Sequence, residues 1–165
     1  MLIREIKIED AGNLIDLIKE VEAESNFMLM EADERKTTPE QQRKHIEHIE
    51  QQNNSTIFAA EDEEKLVGYL IVMGGGVKRT KHSANLVAGI LKDYRGQGIG
   101  SALFQKLDDW AKNNNISRLG LTTVTQNEAG LALYKKNGFE IEGTKRNSLI
   151  VDGKSYDEYY MSKLL

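Results

Sequence analysis

The sequence predicts a mixed α+β domain, with one central twisted sheet and helices packed against it. Three observations lead to that class. Short stretches of alternating apolar and polar residues recur near both ends and in the middle, as strands require. Between them lie segments with the i, i+3, i+4, i+7 spacing of amphipathic helices. With 165 residues, 14 glycines and one proline, residues 1–165 suit a single domain with no linker. A chain of this size buries roughly 70% of its unfolded surface, enough for a core without metals or disulfides.

The elements follow in order. Leu2 to Ile8 alternates Leu2, Arg4, Ile6 and Ile8 against Ile3, Glu5 and Lys7, the period of a strand. Asp10 can cap a helix whose apolar positions are Ala11, Leu14, Ile15, Ile18 and Val21. A second helix starts sharply: Thr38 suits the N-cap, Pro39 the first helical position, and Gln41 completes a capping box. Its body, Glu40 to Gln52, offers only Ile46 and Ile49 to a core, so it reads as mostly solvated. Thr56 to Ala60 and Leu66 to Met73 form a hairpin across the charged turn Glu61 to Glu64, closed by Gly74-Gly75-Gly76. Asn85 to Lys92 is a further strand. The glycine-rich run after it opens a helix that buries Ile99, Leu103, Leu107 and Trp110 and stops at Asn113-Asn114-Asn115. Leu119 to Thr125 is a strand, Asn127 caps a helix, and Gly138 suits its left-handed end. Phe139 to Val151 and Ser155 to Lys163 form a last hairpin joined by Asp152-Gly153. The order is β-α-α-β-β-β-α-β-α-β-β.

Composition narrows the chemistry. With no cysteine, disulfides, thiolate metal sites, iron–sulfur clusters and a Cys nucleophile are excluded. His45 and His48 lie one turn apart but lack a third ligand in sequence, so they read as surface residues and no metal is expected. A net charge of −4 argues against a general nucleic-acid binder. No apolar run reaches the roughly 18 residues of a membrane span, and Met1-Leu2-Ile3-Arg4-Glu5 lacks the pattern of a signal peptide. The expectation is a cytoplasmic protein with no membrane partner.

The informative segment is Arg95-Gly96-Gln97-Gly98-Ile99-Gly100-Ser101. Three glycines between a strand and a helix leave backbone N–H groups free to converge on an anion, and the helix start adds partial positive charge. Such a turn can cradle a pyrophosphate, or can simply start a helix. A P-loop is excluded because no Lys follows Gly100. Gly96, Gly98 and Ser101 nearly match a dinucleotide fingerprint, yet the next strand ends Thr123-Val124-Thr125-Gln126, without the acid that would hold the ribose.

Arg95 to Gly100 resembles the Q/R-x-x-G-x-G/A signature of the GNAT superfamily of N-acetyltransferases. The preceding Ile90-Leu91-Lys92-Asp93-Tyr94 is similar to the family's approach to that turn. Asn127-Glu128-Ala129 and Leu133-Tyr134-Lys135-Lys136-Asn137-Gly138-Phe139 resemble its N-x-A…L-Y-x-K-x-G-F block. Glu140 to Thr144 and Val151 to Met161 are similar to members that acylate amino acids, ribosomal-protein N-termini or polyamines. The chain departs from the family at Asn85, where many relatives carry an acid.

The resemblance implies a mostly antiparallel sheet with a splayed strand pair, the acyl-CoA N-acyltransferase fold. It implies acetyl-CoA as donor, a primary amine as acceptor and direct transfer in a ternary complex. The pyrophosphate would lie on the N–H groups of Arg95, Gly96, Gln97, Gly98, Ile99, Gly100 and Ser101. The pantetheine arm would pair with the preceding strand around Ile90, Leu91 and Lys92, and Lys136 joins the CoA-binding set. An N–H near Ile90 would polarise the thioester carbonyl. Asn127 would bind pantetheine or only cap its helix. Tyr134 would protonate the departing thiolate, against the plain reading of a packed aromatic.

Glu31, Asp33, Glu34 and Glu128 are candidate bases, and none is singled out. Phe27-Met28-Leu29-Met30 suits an adaptable acceptor wall or simple core packing. Glu22, Glu24, Glu31, Asp33 and Glu34 could attract a polyamine but read first as a solvated face. The basic turn Lys78 to His82 is either a contact for the 3′-phosphate of CoA or a plain loop. Tyr156, Tyr159 and Tyr160 fit either the acceptor site or a dimer interface, a homodimer being the family-level expectation. The alternative function is a non-catalytic acyl-CoA sensor on the same fold, and a dinucleotide oxidoreductase is the third reading.

Overall fold

A computed structural model describes all residues, 1–165. Seven strands form one sheet: β1 (Leu2–Glu5), β2 (Thr56–Asp62), β3 (Lys65–Gly74), β4 (Ser83–Ile90), β5 (Arg118–Val124), β6 (Glu140–Val151) and β7 (Lys154–Leu164). Four α-helices, α1 (Ala11–Glu24), α2 (Pro39–Glu50), α3 (Ile99–Asn113) and α4 (Glu128–Lys136), connect them. No helix is long and apolar enough to cross a membrane.

The spatial order is β1-β2-β3-β4-β5-β7-β6, so the last strand inserts between β5 and its own hairpin partner. Every neighbouring pair is antiparallel except β4 and β5. That parallel pair holds over three residues only, Ser83 to Asn85 against Arg118 to Gly120. Beyond Asn85 the two strands part, and the sheet splays open as the resemblance implied.

Burial explains the layers. β3 is covered on both faces, with Val67, Tyr69, Leu70 and Val72 buried. Tyr69 and Ile71 point to the α1–α2 side, beside Ile18. Leu70 faces the other way, where its β2 partner Phe58 meets the Trp110 ring of α3 edge-on. Leu14, Leu103, Leu107 and Leu119 are fully buried, each burial stabilising by about 1.5–3 kcal/mol.

The local signals held at several points. Thr38 Oγ1 accepts from Gln41 N at 3.1 Å, and Gln41 Oε1 accepts from Thr38 N at 2.9 Å, so the capping box is closed. Ile46 and Ile49 are buried, joined by Gln42. Asp152 and Gly153 both have positive φ, as a two-residue hairpin turn requires, and Gly138 takes φ +93° after α4.

Other expectations are corrected. The first strand ends at Glu5, and Ile8–Asp10 is a single 3-10 turn. Asp10 does not cap α1 with its side chain. Its carboxylate turns back to Arg4, at 2.8 and 2.9 Å, and accepts from Lys7 N at 2.8 Å. The fork of Arg4 holds this carboxyl below its ordinary pKa. β4 ends at Ile90, and Lys92–Tyr94 forms a further 3-10 turn. Trp110 is only partly buried; Phe104 takes the core position on α3 instead.

Candidate active site

The splay creates a cleft of about 380 Å³. Leu86, Val87 and Ala88 form one lip, and Leu121 to Val124 form the other. The α1–α2 connection covers it with Phe27, Met28 and Leu29. Phe27 also meets the Tyr156 ring of β7 edge-on, with centroids 5.6 Å apart, which ties that connection across the cleft. Met28 packs against the core as well, so the segment both lines the cleft and joins the core.

At the far end of β4 stands the glycine turn. Gly96 and Gly98 adopt φ +73° and +83°. A Cβ at Gly98 would meet nothing within 4 Å, so the backbone conformation, not space, demands glycine there. Gly100 is different: its Cβ would lie 2.7 Å from Leu133 Cδ2, so it allows α3 to approach α4 closely. The first backbone bond into α3 runs from Ala102 N to Gly98 O. The N–H groups of Gly96 to Ser101 have no acceptor within the chain, while Arg95 N donates to Lys92 O. Arg95 Nε donates to Ile90 O at 3.2 Å and Gln97 Nε2 to Asp93 O at 3.1 Å, anchoring the turn on the strand end.

Three CoA-site candidates are already partly occupied. Lys92 N donates to Glu24 Oε1 at 3.0 Å, and Leu91 N donates to Val67 O. Those two N–H groups therefore do not face an open edge. Ser101 Oγ accepts from Asn137 Nδ2 at 3.2 Å, docking the C-terminal end of α4 beside the glycine turn. Lys136, exposed and one residue before Asn137, stands at that same end.

Tyr134 lines the cleft from α4. Its ring meets Phe104 edge-on at 5.8 Å and Phe139 at 6.3 Å, so the aromatic packing is present too. The phenol has no hydrogen-bond partner in the chain, and burial pushes its pKa above the ordinary value. Asn127 also lines the cleft. Its Oδ1 accepts from Gly130 N at 3.1 Å, a working helix cap, while Nδ2 reaches Thr123 Oγ1 at 3.4 Å.

Several expected residues fall elsewhere. Glu31, Asp33, Glu34 and Glu128 are all exposed and outside the cleft. Lys78 to His82 sit before the N-terminal end of β4, the length of a strand from the glycine turn, a placement that suits the plain-loop reading. Tyr159 and Tyr160 lie outside the cleft.

The cleft also holds Glu22 and His45, read from sequence first as a solvated acid and a surface residue, and Arg35, Tyr69 and Glu158, which the sequence reading did not single out. Glu22 is 3% exposed and bound by Arg35 through Nε at 3.0 and 3.2 Å and Nη2 at 2.9 Å. This corrects its place among the solvated acids. The available signal was its spacing: Glu22 follows Ile18 by four residues on the apolar face of α1. His45 is exposed on α2, as expected of a surface residue, and also borders the cleft; partial burial, then His48, lowers its pKa. Burial pushes the Tyr69 phenol far up, with Glu22 adding to it.

The comparisons with known proteins agree with this architecture. The model of the Acetyltransferase (GNAT) family matches residues 21–139, well over half of the chain. An L-amino acid N-acetyltransferase of Escherichia coli (strain K12) is 30% identical over 103 residues, 60% of this chain and 62% of that protein. The matched stretches span less than two thirds of the length of such sequence relatives. A crystal structure of an acetyltransferase of the GNAT family from Streptococcus pneumoniae superposes with TM-score 0.96 at 32% identity, over 99% of both chains. A structure from Salmonella typhimurium, described with its cofactor acetyl-CoA, shares the fold at TM-score 0.88, with 15% identity over 99% of this chain and 93% of that one. Glycine turn, splayed strands, family model and near-complete superposition converge: the chain belongs to the acetyltransferase (GNAT) family.

Proposed function

We propose that this chain moves an acetyl group from acetyl-CoA to a primary amine, by direct transfer within a ternary complex. The observation that carries the reading is one of continuity. Six successive N–H groups without acceptors stand at one end of β4, and the splay beside that strand leads to the phenol of Tyr134. Free N–H groups at a helix start suit a pyrophosphate. A strand edge that has lost its neighbour suits an extended, amide-bearing arm, which pairs with it as an added strand. The pantetheine of CoA is such an arm. Around Ile90 an N–H would stabilise the oxyanion that develops on the thioester carbonyl.

Tyr134 then gives its proton to the departing thiolate. The phenol is protonated at neutral pH, and because burial raises its pKa it gives that proton only as the C–S bond breaks and negative charge develops on sulfur. The acceptor enters from the other side, under the α1–α2 connection. The amine-acetylating relative and the acetyl-CoA-bound neighbour support this donor and acceptor class.

The test is CoA thiol release from acetyl-CoA, run against pools of amino acids, polyamines, aminoglycosides and N-terminal peptides. Release with one pool establishes transfer and names the acceptor class. Acetyl-CoA binding with silence across all pools favours the acyl-CoA sensor on the same fold. No binding at millimolar acetyl-CoA refutes both.

A further inference from the structure

We infer that Glu158 takes the proton from the acceptor's ammonium group. The inference rests on the transfer reading above. An alkylammonium has a pKa of about 10, so at neutral pH it must lose a proton before its nitrogen can attack. The cleft offers two carboxylates, Glu22 and Glu158. Glu22 is buried with both oxygens held by Arg35, so its charge is already matched. Glu158 is bound on one side only: Ser148 Oγ donates to Oε1 at 2.5 Å, and Oε2 has no partner in the chain.

Its position on the sheet sets it opposite the end of β5, just before the helix that carries Tyr134. Glu158 stands on β7 in register with Val124, the last residue of β5. The Val124 carbonyl accepts from Asn127 N at 2.9 Å, which fixes the start of α4, the helix that carries Tyr134. The one free carboxylate and the phenol therefore border the same cleft, each from an element joined to the end of β5. The other titratable groups there are Arg35, His45 and Tyr69, and Lys145 is Glu158's register partner on β6. Tyr69 and Tyr134 hold their protons because burial raises both. His45, on α2, is the competing base.

The proton count closes. Glu158 takes one proton from the ammonium, and the freed nitrogen forms a C–N bond to the thioester carbon. The C–S bond breaks, and sulfur receives the phenol proton of Tyr134. The second proton lost by nitrogen returns to that phenolate. Glu158 then gives its proton to solvent, one per turnover, as ammonium plus thioester going to amide plus thiol requires.

The deciding variant is Glu158→Gln, whose amide oxygen still accepts from Ser148. It is assayed from pH 6 to 10 with the acceptor pool that serves the unmodified protein, beside His45→Gln. The expected result is a kcat/KM lower by about 100-fold or more at pH 7, with acetyl-CoA affinity unchanged. The gap narrows as pH rises and free amine accumulates. A loss equal at every pH assigns Glu158 a structural part and overturns the inference. So does an unchanged rate, or a pH-dependent loss confined to His45→Gln. Turnover by the unmodified protein with an insensitive Glu158→Gln overturns this assignment alone. A protein that acetylates no amine overturns the transfer reading, and this assignment falls with it.

Discussion

The glycine turn at the end of β4 and the cleft beside that strand are built by different means, one a wall of backbone and the other a wall of side chains. The glycine-turn wall offers backbone: six N–H groups presented by one contiguous segment and fixed by two left-handed glycines and the start of α3. The opposite wall offers side chains from scattered elements: Glu22 from α1, Arg35 from the α1–α2 connection, His45 from α2 and Glu158 from β7. A ligand common to a whole family can be held by backbone, which any sequence supplies once the turn is set. An acceptor that differs between relatives must be selected by side chains. The contrast predicts that damage on one side should weaken the donor and spare the acceptor, and the reverse on the other.

The largest expected effect lies where the walls meet. Tyr134→Phe should lower kcat by about 100-fold or more, with acetyl-CoA affinity unchanged. The ring contacts to Phe104 and Phe139 survive in Phe, so stability should hold. Steady-state kinetics beside equilibrium binding checks this. Unchanged turnover would return Tyr134 to the role of a packed aromatic.

On the side-chain wall, Arg35→Met should cost stability. It strands the buried Glu22 carboxylate without a counter-charge, at a cost of about 3 kcal/mol, or roughly 6–12 °C in Tm for a domain of this size. Thermal unfolding measures it. Adding Glu22→Gln to Arg35→Met should recover most of the loss, because the orphaned charge is then gone. Failure to recover would mean that packing of the Arg35 stem, not charge, holds this wall together.

On the backbone wall, Gly98→Val should weaken acetyl-CoA about 10-fold, or about 1.4 kcal/mol. A β-branched residue resists φ +83°, and the N–H groups that follow would be re-aimed. Gly76→Ala is the matched control, with the same open space around its Cβ and no positive φ. Isothermal titration with acetyl-CoA distinguishes the two. Equal effects, or none, would break the claim that conformation at the turn sets donor affinity.

The same contrast explains what could be read from sequence. Left-handed glycines before a helix, the capping box at Thr38 and the spacing of Leu133-Tyr134 to Gly138-Phe139 are local, and each forces its neighbours. They were legible, and the glycines among them define the backbone wall. Glu22 had only its spacing on α1 to mark it, and Glu158 acquires meaning only when a strand order of β5-β7-β6 and the splay at Asn85 bring it to the same cavity. Nothing near Glu158 in the chain marks it, since an acid in an alternating strand looks solvated. Trp110, expected in the core, is only partly buried while Phe104, not singled out, is buried, because helical spacing fixes the face but not how far its surroundings cover it.

Asn127 carries the smallest and most discriminating prediction, because it both caps α4 and lines the cleft. Its Oδ1 caps α4 through Gly130 N, while its Nδ2 is held only by the long contact to Thr123. Asn127→Ala removes both groups and should cost about 1 kcal/mol of stability, the ordinary loss of a cap. Asn127→Ser keeps an oxygen at the N-cap and removes the amide N–H, so its stability should stay within a few tenths of a kcal/mol. If the cap is the whole role, acetyl-CoA affinity of Asn127→Ser is unchanged. A several-fold weakening in that variant, at unchanged Tm, would instead give the amide N–H a hydrogen bond to the donor. The donor would then be held by a side chain as well as by backbone, and the division between the walls would blur at this one residue.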